Sequence, residues 1–342
     1  MNTLLKIQRI VKCLAYEYIP KKLQSRFFAG VEALSTKELK SLNANGRSLS
    51  NNRWTGESRI RRVVEDSRFT KLILPVILEK FLPRKGRLRL SLDHSTFGCF
   101  TIAVFALSAG KGRALPVWCV ITRTGKGYPL LKPLFKGFIY ILRYLNHGQR
   151  KRLEIVMDRW FAIPDLLQWI DDQGLNFIVR IKADTPLVVP WIEPHRTIPA
   201  GEISHTETPV TYYGRDWRFV RSDFRPNMKE KEPWYLLTNM RPEKRTRQQI
   251  LRSYAKRFEL EEYFRDVKWI EGYEWHQIRH LKVIRTVFAF VFLGWWLLLR
   301  AYGENKDHPA TRYIHSKKRL SWFRTAWEDW HRLQMKPLFF SG

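Results

Sequence analysis

A change in hydrophobic periodicity after residue 86 constrains the fold of this chain more than any other feature. From residue 88, leucines alternate with polar residues as far as Asp93, and this period-two alternation predicts a half-buried β-strand. Two more strand-like runs follow at residues 99–107 and 114–122, joined by a short turn that contains glycine. The order predicts an antiparallel meander of three strands.

The chain then alternates between helical and strand-like patterns. Helices are predicted near residues 130–146 and 163–173, and strands at residues 153–157 and 176–181. Three strands followed by alternating helices and strands are typical of a mixed sheet that is covered by helices. We therefore expect an α/β fold.

The regions that flank this pattern differ from it. Residues 184–240 are punctuated by proline and rich in Thr, Tyr and Trp, and strand-like runs at residues 217–221 and 234–238 predict a β-rich insertion. Residues 1–83 show helical patterns. A polar break at residues 41–52 is followed by a basic stretch. This stretch is consistent either with a small helical region that binds DNA ends or with the solvated face of a scaffold helix.

Composition excludes several classes of protein. The chain has 342 residues, with 61 Lys and Arg against 32 Asp and Glu, which gives a net charge of +29. With 44% hydrophobic residues it can bury a sizeable core, and this excludes an intrinsically disordered polybasic chain. A charge of this size on a folded body indicates a broad surface for a polyanion, such as nucleic acid, ribosomal RNA or a membrane surface.

The cysteines and the longest apolar run indicate the compartment in which the protein works. Cys13, Cys99 and Cys119 are odd in number and form no CxxC pair, so the sequence encodes neither a disulfide framework nor a zinc ribbon, which fits a reducing cytoplasm. The apolar run at residues 287–299 is too short to span a bilayer. We expect a buried helix there, and no membrane partner.

Two aspartates stand where strand patterns stop. Asp93 ends the first predicted strand and Asp158 follows the strand at residues 153–157. Side chains at such positions project into the site beyond the strand ends of α/β sheets, although an Asp there is often only a turn former or a helix N-cap. We expect His94, which follows Asp93, to be structural.

A stripe of functional residues marks the segment from residue 248 to 269, which we predict to be one long helix. Tyr254, Arg257, Glu261 and Lys268 are separated by intervals that place them on a single narrow helical face. An aromatic ring, two cations and a carboxylate form a poor core and an unusual surface. The alternative is an ordinary ion pair between Arg257 and Glu261 on a solvated face.

At these residues the chain resembles a known family. Tyr254, Arg257, Glu261 and Lys268 match without a gap the Tyr-Arg-Glu-Lys signature of a large group of bacterial insertion-sequence DDE transposases. The resemblance implies a mixed sheet of the RNase H-like type, flanked by helices, with an N-terminal helical region and a β-rich insertion before the helix that carries the Glu.

The resemblance covers about residues 85–300. The family places its first Asp at the end of the first strand and its second Asp after a later strand, and Asp93 and Asp158 match these positions. Residues 184–240 resemble the family's insertion. One departure is Phe258, where many members have Trp, and we expect this aromatic ring to pack similarly.

The resemblance implies that Asp93, Asp158 and Glu261 are the catalytic residues and the metal ligands of a DNA transposase. Phosphodiester cleavage and strand transfer place charge on the attacking and leaving oxygens, which a pair of Mg²⁺ ions about 4 Å apart can stabilise. Mg²⁺ prefers carboxylate oxygens. We therefore expect two Mg²⁺ ions as cofactors, bridged by Asp93, with Mn²⁺ as a substitute.

The resemblance also implies DNA partners. A homodimer is expected to bind the terminal inverted repeats of its element in a synaptic complex, to cut and paste the element into target DNA, and to cut the second strand through a hairpin. Tyr254, Arg257 and Lys268 would grip transposon-end phosphates. The expected location is the cytoplasm, at the nucleoid.

Three further residues are candidate DNA contacts. Trp234 opens the segment WYLLTN, which resembles a block in which relatives stack the Trp on a base flipped out near the transposon end. The alternative is a buried strand Trp. Arg159 and Arg265 lie beside catalytic positions and are candidate phosphate contacts.

These inferences divide the chain into five regions, and they leave two alternative functions open. The alternatives are a catalytically silent DNA-binding derivative of a transposase and an RNase H-like nuclease that does not join ends. The complete set of signature residues argues against the silent derivative. The regions are an N-terminal helical region at 1–83 with possible DNA-end binding, a first part of the catalytic core at 84–183, the insertion at 184–240, a second part of the core at 241–303, and a basic C-terminal region at 304–342.

Overall fold

A single mixed sheet forms the centre of the protein. The computed structural model describes residues 3–35, 41–47, 49–82, 86–108, 114–123, 131–192, 196–223, 233–270 and 278–303, so the basic region predicted at 304–342 lies outside the described residues. The strands are β1 (Leu88–Phe97), β2 (Phe100–Ser108), β3 (Ala114–Arg123), β4 (Leu153–Met157), β5 (Asn176–Ile181), β6 (Pro186–Val188), β7 (Thr197–Pro199), β8 (Glu207–Tyr212), β9 (Arg215–Arg221) and β10 (Tyr235–Thr238).

The strand order confirms the predicted fold. Within the described residues the sheet runs β3-β2-β1-β4-β5-β10-β9-β8-β6-β7. The first three strands form the antiparallel meander, and β4 and β5 run parallel to β1. This is the mixed α/β sheet expected of an RNase H-like fold, and the strands of the β-rich insertion extend the same sheet beyond β5.

The first strand extends four residues beyond its predicted end. The first strand was expected to end at Asp93, but β1 continues to Phe97 because β2 folds back on it and keeps pairing as far as Phe97 with Phe100. Its parallel neighbour β4 does end at Met157. Asp93 therefore lies inside a strand, at the level where the adjacent strand stops.

The described helices cover the sheet and build the N-terminal region. The helices are α1 (Thr3–Tyr18), α2 (Lys21–Gly30), α3 (Leu42–Arg47), α4 (Arg53–Val64), α5 (Arg68–Phe81), α6 (Leu131–Arg143), α7 (His147–Lys151), α8 (Pro164–Asp172), α9 (Arg247–Ala255), α10 (Phe258–Ile270) and α11 (Leu281–Gly303). A short π-helical turn, Val31–Ser35, follows α2.

The apolar helix α11 joins the N-terminal helices to the sheet in one core. It packs against α1, α4, α5 and β3, and the ring of its Phe290 lies against Phe27 and Phe69 from the N-terminal helices. By length and composition α11 is the one helix in the described part of the chain that could cross a membrane, but 78% of its most apolar window is buried in the protein. The predicted buried helix is confirmed.

Helix α9 covers the face of the sheet that carries the candidate site. Its Ile250 and Tyr254 pack in a small apolar cluster with Val156 of β4 and Ile178 of β5. Side chains two residues apart on a strand share a face. The chain therefore delivers Asp158, two residues after Val156, to the side that α9 covers.

The single long helix predicted from residue 248 to 269 is wrong. The structure has two helices, α9 and α10, with a tight turn at Lys256 and Arg257. At this turn the amides of Lys256 and Arg257 donate to the carbonyls three residues earlier, Ser253 and Tyr254, at 3.2 and 2.9 Å. The backbone tightens where the Arg257 side chain enters the protein interior.

We predict that Gly30→Ala destabilises the protein. Gly30 ends α2 where it crosses α11, and a Cβ atom there would lie 2.3 Å from the Phe290 ring, so the core must shift. We expect a loss of about 1–3 kcal/mol in the free energy of unfolding, measured by urea denaturation. Gly148→Ala is the control because its Cβ would meet its nearest neighbour at 3.5 Å. It should be neutral or stabilising by up to about 1 kcal/mol. Equal effects at both positions would contradict the packing described here.

Candidate active site

Adjacent parallel strands bring the two aspartates together. Leu92 of β1 pairs with Met157 of β4, so the next residues, Asp93 and Asp158, lie side by side at the same level. Asp158 leaves the sheet and begins a short 3₁₀ turn, Arg159–Phe161, with a half-exposed side chain. Asp93 stays in the sheet and is buried.

Asp93 accepts two hydrogen bonds, and its burial disfavours its negative charge. The backbone N–H of His94 donates to its Oδ1 at 2.7 Å, and Nη1 of Arg257 donates to its Oδ2 at 2.7 Å. Burial raises the pKa of Asp93 to about 6, the Arg257 charge opposes this, and the charge of Asp158 and, more weakly, that of Glu261 add to it. The three carboxylates therefore share one electrostatic environment.

Arg257 joins Asp93 to Glu261. Its guanidinium is only 4% exposed, and its Nη2 donates to Oε1 of Glu261 at 2.5 Å while Nη1 binds Asp93. Burial lowers the pKa of Arg257, but Tyr254 and the neighbouring carboxylates outweigh burial and raise it above its ordinary value. Glu261, in the first turn of α10, keeps its side chain 43% exposed at the mouth of the site.

Aromatic rings surround the Arg257 guanidinium. Its central carbon lies 5.5 Å from the ring centre of Tyr254 and 5.2 Å from that of Phe258, within the range of cation–π contacts. Tyr254 is fully buried, and burial raises its pKa to about 12. Phe258, where many relatives have Trp, therefore does pack against the signature residues.

Trp234 lies beneath this aromatic cluster. Its ring meets Tyr254 at 5.1 Å in an edge-to-face arrangement and Phe258 at 6.1 Å, and the residue is only 8% exposed. Its backbone N–H donates to the Ser222 hydroxyl at 2.7 Å. This is the buried position that the alternative expected, while base stacking by Trp234 stays a prediction.

The remaining predicted cations lie at the edge of the site. Lys268, two turns after Glu261, places its Nζ 5.2 Å from the ring centre of Phe97 at the end of β1. Arg159 is exposed beside Asp158, and Arg265 is exposed and pairs with Glu262. The structure thus brings Tyr254 and Arg257 together with the carboxylates and leaves the other three cations around them. Their DNA contacts stay predictions.

The three carboxylates have the chemistry to bind a divalent cation, although Arg257 already bonds to oxygens of two of them. Asp93, Asp158 and Glu261 offer hard carboxylate oxygens, the ligands that Mg²⁺ prefers. Within the described ranges, no group of three or more His, Cys, Asp or Glu side chains has the arrangement of a closed metal site. Arg257 holds one oxygen of Asp93 and one of Glu261, so the adjacent Asp93 and Asp158 are the part that fits directly.

Sequence reasoning missed two residues that shape the site. Glu259 lay off the predicted stripe, yet it is buried and accepts a hydrogen bond of 2.5 Å from the Ser108 hydroxyl, which fastens the first turn of α10 to the end of β2. Trp160 stacks on His94 at 4.3 Å. The sequence offered one indication of the contact between Trp160 and His94. Each of these rings follows one of the two aspartates within two residues.

A comparison with protein-family models identifies one family. The model of a family described as "Transposase DDE domain" matches residues 116–297, a range that includes Asp158 and Glu261 and begins after Asp93. A cryo-EM structure of the piggyBac transposase synaptic complex with hairpin DNA is similar, with 10% identity and a TM-score of 0.40, over 92% of this chain and 73% of that chain. None of the curated proteins compared with the sequence matches it.

We predict that Asp93→Asn stabilises the metal-free protein in a pH-dependent way. The pKa of Asp93 is about 6 in the folded state against 3.8 without these surroundings, so the folded state binds the proton more tightly and stability falls as pH rises through this interval. The gain from Asn should be about 3 kcal/mol at pH 7.5 and about 1 kcal/mol at pH 4.5.

Urea denaturation at the two pH values measures the effect. Asp184→Asn makes the same chemical change at an exposed position and should alter stability little at either pH. A gain for Asp93→Asn that is equal at both pH values would contradict the assignment of a raised pKa to Asp93.

Proposed function

The chain belongs to the transposase DDE domain family, and we propose that it is a DNA transposase whose catalytic carboxylates are Asp93, Asp158 and Glu261. The observation that carries the proposal is the meeting of these three acids around buried Arg257, with Asp93 and Asp158 at the same level of adjacent strands. Arg257 and Glu261 of the sequence signature thus meet the aspartate of a distant strand. An ordinary surface ion pair would leave them solvated and would not include Asp93.

Metal ions complete the proposed chemistry. The family generally uses divalent metals, and we assign two Mg²⁺ ions, replaceable by Mn²⁺, to the three carboxylates. When bound, such a pair stabilises the charge that develops on the attacking and leaving oxygens of a phosphodiester. Arg257 now holds one oxygen of Asp93 and one of Glu261. It must release both oxygens before the three carboxylates can bind the ions together.

The cations of the site bind and orient the DNA backbone. Lys268 and Arg159 lie on different elements at the edge of the carboxylates and offer charge-assisted contacts to phosphates. Once Arg257 releases Asp93 and Glu261, its guanidinium holds a phosphate next to the carboxylates, and Tyr254, packed against it, fixes the direction of the guanidinium. Arg265 extends the positive surface along α10.

The proposed substrate is the DNA at the ends of an insertion element, and the proposed assembly is a homodimer. We propose that the protein binds the terminal inverted repeats of a bacterial insertion element, pairs them as a homodimer at the nucleoid, and cuts the second strand through a hairpin before joining to target DNA. The signature residues and the net charge of +29 support this assignment. Residues 1–83 carry the proposed end-binding region, and residues 84–183 and 241–303 the catalytic core.

We predict that Asp158→Asn and Glu261→Gln each reduce DNA cleavage by about 10³-fold or more. Each change removes one charged oxygen ligand from a site whose metal ions supply several kcal/mol of transition-state stabilisation. DNA affinity should stay within about twofold because it rests mainly on Lys and Arg contacts to phosphates. End-labelled inverted-repeat DNA with Mg²⁺ or Mn²⁺, against Ca²⁺, measures both properties.

The control is Glu262→Gln. Glu262 is the next residue on α10 and pairs with Arg265, and it is not one of the three proposed metal ligands, so its variant should cleave nearly normally. Normal cleavage by Asp158→Asn would overturn the assignment of the site. For the unchanged protein, nicking with hairpins and joined products supports transposition, nicking alone indicates a nuclease that does not join ends, and binding alone indicates a silent derivative.

We predict that Trp234→Ala nicks DNA but forms or resolves hairpins poorly. The reason is the proposed stacking of this ring on an unpaired base, which is worth about 1–3 kcal/mol. Gel analysis of nicked and hairpin products separates the two steps. Trp191→Ala, which removes an exposed Trp, is the control. An equal loss of both steps would count against stacking and would identify Trp234 as a support for Tyr254.

A further inference from the structure

A second cleft lies at the β3 edge of the sheet. It has a volume of about 570 Å³ and is bordered by α5, β3, α6 and α11. Four cations, Lys71, Lys136, Lys282 and Arg285, stand around it, and no carboxylate is among its lining residues. We call this feature the edge cleft. Its size lies within the range of sites that enclose a small organic group.

The floor of the edge cleft is apolar and firm. Leu74, Trp118 and Val120 contribute to it, and the ring of Trp118 stacks on Tyr140 at 4.0 Å, which holds the indole in place. Gly137 of α6 packs so closely that a Cβ atom there would lie 3.0 Å from Trp118. The floor therefore offers a fixed apolar surface beneath a positive rim.

The four rim cations have no compensation in the described part of the chain. All four are exposed, and none has an ion pair or a hydrogen bond from its side chain to another described residue. Lys71 and Lys282 also lie in the first turns of α5 and α11, where neither helix has an acidic residue. Cations at a helix N-terminus oppose the helix dipole. The fold thus keeps mutually repelling charges at an unfavourable place, and a bound anion would relieve that repulsion.

Size and polarity together define the ligand. A single phosphate would fill a small part of the edge cleft and leave the apolar floor in contact with water. A nucleotide with an unpaired base supplies both parts, since its phosphates suit the cations and its flat base suits the floor. A paired base in a duplex is stacked and cannot enter such a concave site.

The edge cleft lies two strands away from Asp93 along the sheet. Cys119, which lines it, pairs with Val104, and Val104 pairs with Asp93, so about 10 Å separates the backbones of Cys119 and Asp93. The floor residues Trp118 and Val120 alternate with Cys119 and lie on the opposite face of the sheet from Asp93, so a DNA strand reaches the floor around the β3 edge. On the basis of the proposed function, we propose that the edge cleft binds an unpaired nucleotide of the DNA strand held at the active site.

A binding experiment on the full chain tests this assignment. The probes are a labelled 15-nucleotide single strand and a blunt 15-base-pair duplex, in Ca²⁺ so that neither is cut. For the double variant Lys282→Gln with Arg285→Gln, we expect single-strand affinity to fall at least tenfold. The slope of log affinity against log salt should shrink by about 1.4, or about 0.7 per lost phosphate contact. Duplex affinity should change less than threefold.

Two further variants separate shape from charge. Thr70→Phe fills the edge cleft and keeps all four cations, so it should weaken single-strand binding and spare duplex binding. Lys12→Gln with Lys151→Gln removes two exposed charges outside the edge cleft and should change single-strand affinity less than twofold. Without DNA, the Lys282→Gln with Arg285→Gln protein should melt about 1–2 °C higher, because repulsion is relieved.

The outcomes distinguish failure of this assignment from failure of the proposed function. Unchanged single-strand affinity and salt slope in the rim variant, with duplex binding intact, would overturn the edge cleft as a nucleotide site. Equal losses on both probes would overturn the unpaired nucleotide as its ligand. If the unchanged protein binds neither probe, the proposed transposase function itself fails.

Discussion

The contact between Arg257 and two carboxylates is the interaction on which the site depends. It connects α10 to β1 across 164 residues of sequence, through the hydrogen bond from Arg257 to Asp93. The Arg257 side chain is buried, and a buried cation without any carboxylate partner costs several kcal/mol, so Arg257 must keep at least one of the two acids. Glu259, bonded to Ser108 of β2, fastens the same turn of α10 from the other side. The first turn of α10 is therefore fixed at two points, and Glu261 is presented between them.

The sheet was largely predictable from sequence, because local patterns mark strands, either as alternation between apolar and polar residues or as short apolar runs. β4 and β5 have the predicted bounds, and the meander was displaced only where β1 runs past Asp93 to complete its pairing with β2. The family resemblance singled out Asp93, Asp158, Arg257 and Glu261, which the structure places close to one another. Pairing between distant strands could not be read from the local pattern.

The break between α9 and α10 was not predictable, because a tertiary interaction causes it. The segment has the periodicity of one helix, yet the Arg257 side chain reaches two acids on different elements, and the backbone tightens by one residue to allow this. The importance of Glu259 was hidden for a similar reason. Its partner, Ser108, is 151 residues away, and helical geometry alone placed Glu259 off the stripe.

One hydrogen-bonded sheet connects the edge cleft to the insertion. Its ten strands, β3 to β7, give a width of up to about 43 Å at the usual spacing of about 4.8 Å, before twist shortens it. Duplex DNA rises about 3.4 Å per base pair, so this width corresponds to about twelve base pairs. The sheet therefore fixes the separation between the edge cleft and the strands of the insertion. Under the proposed function, it also fixes the spacing of DNA contacts made at these two places.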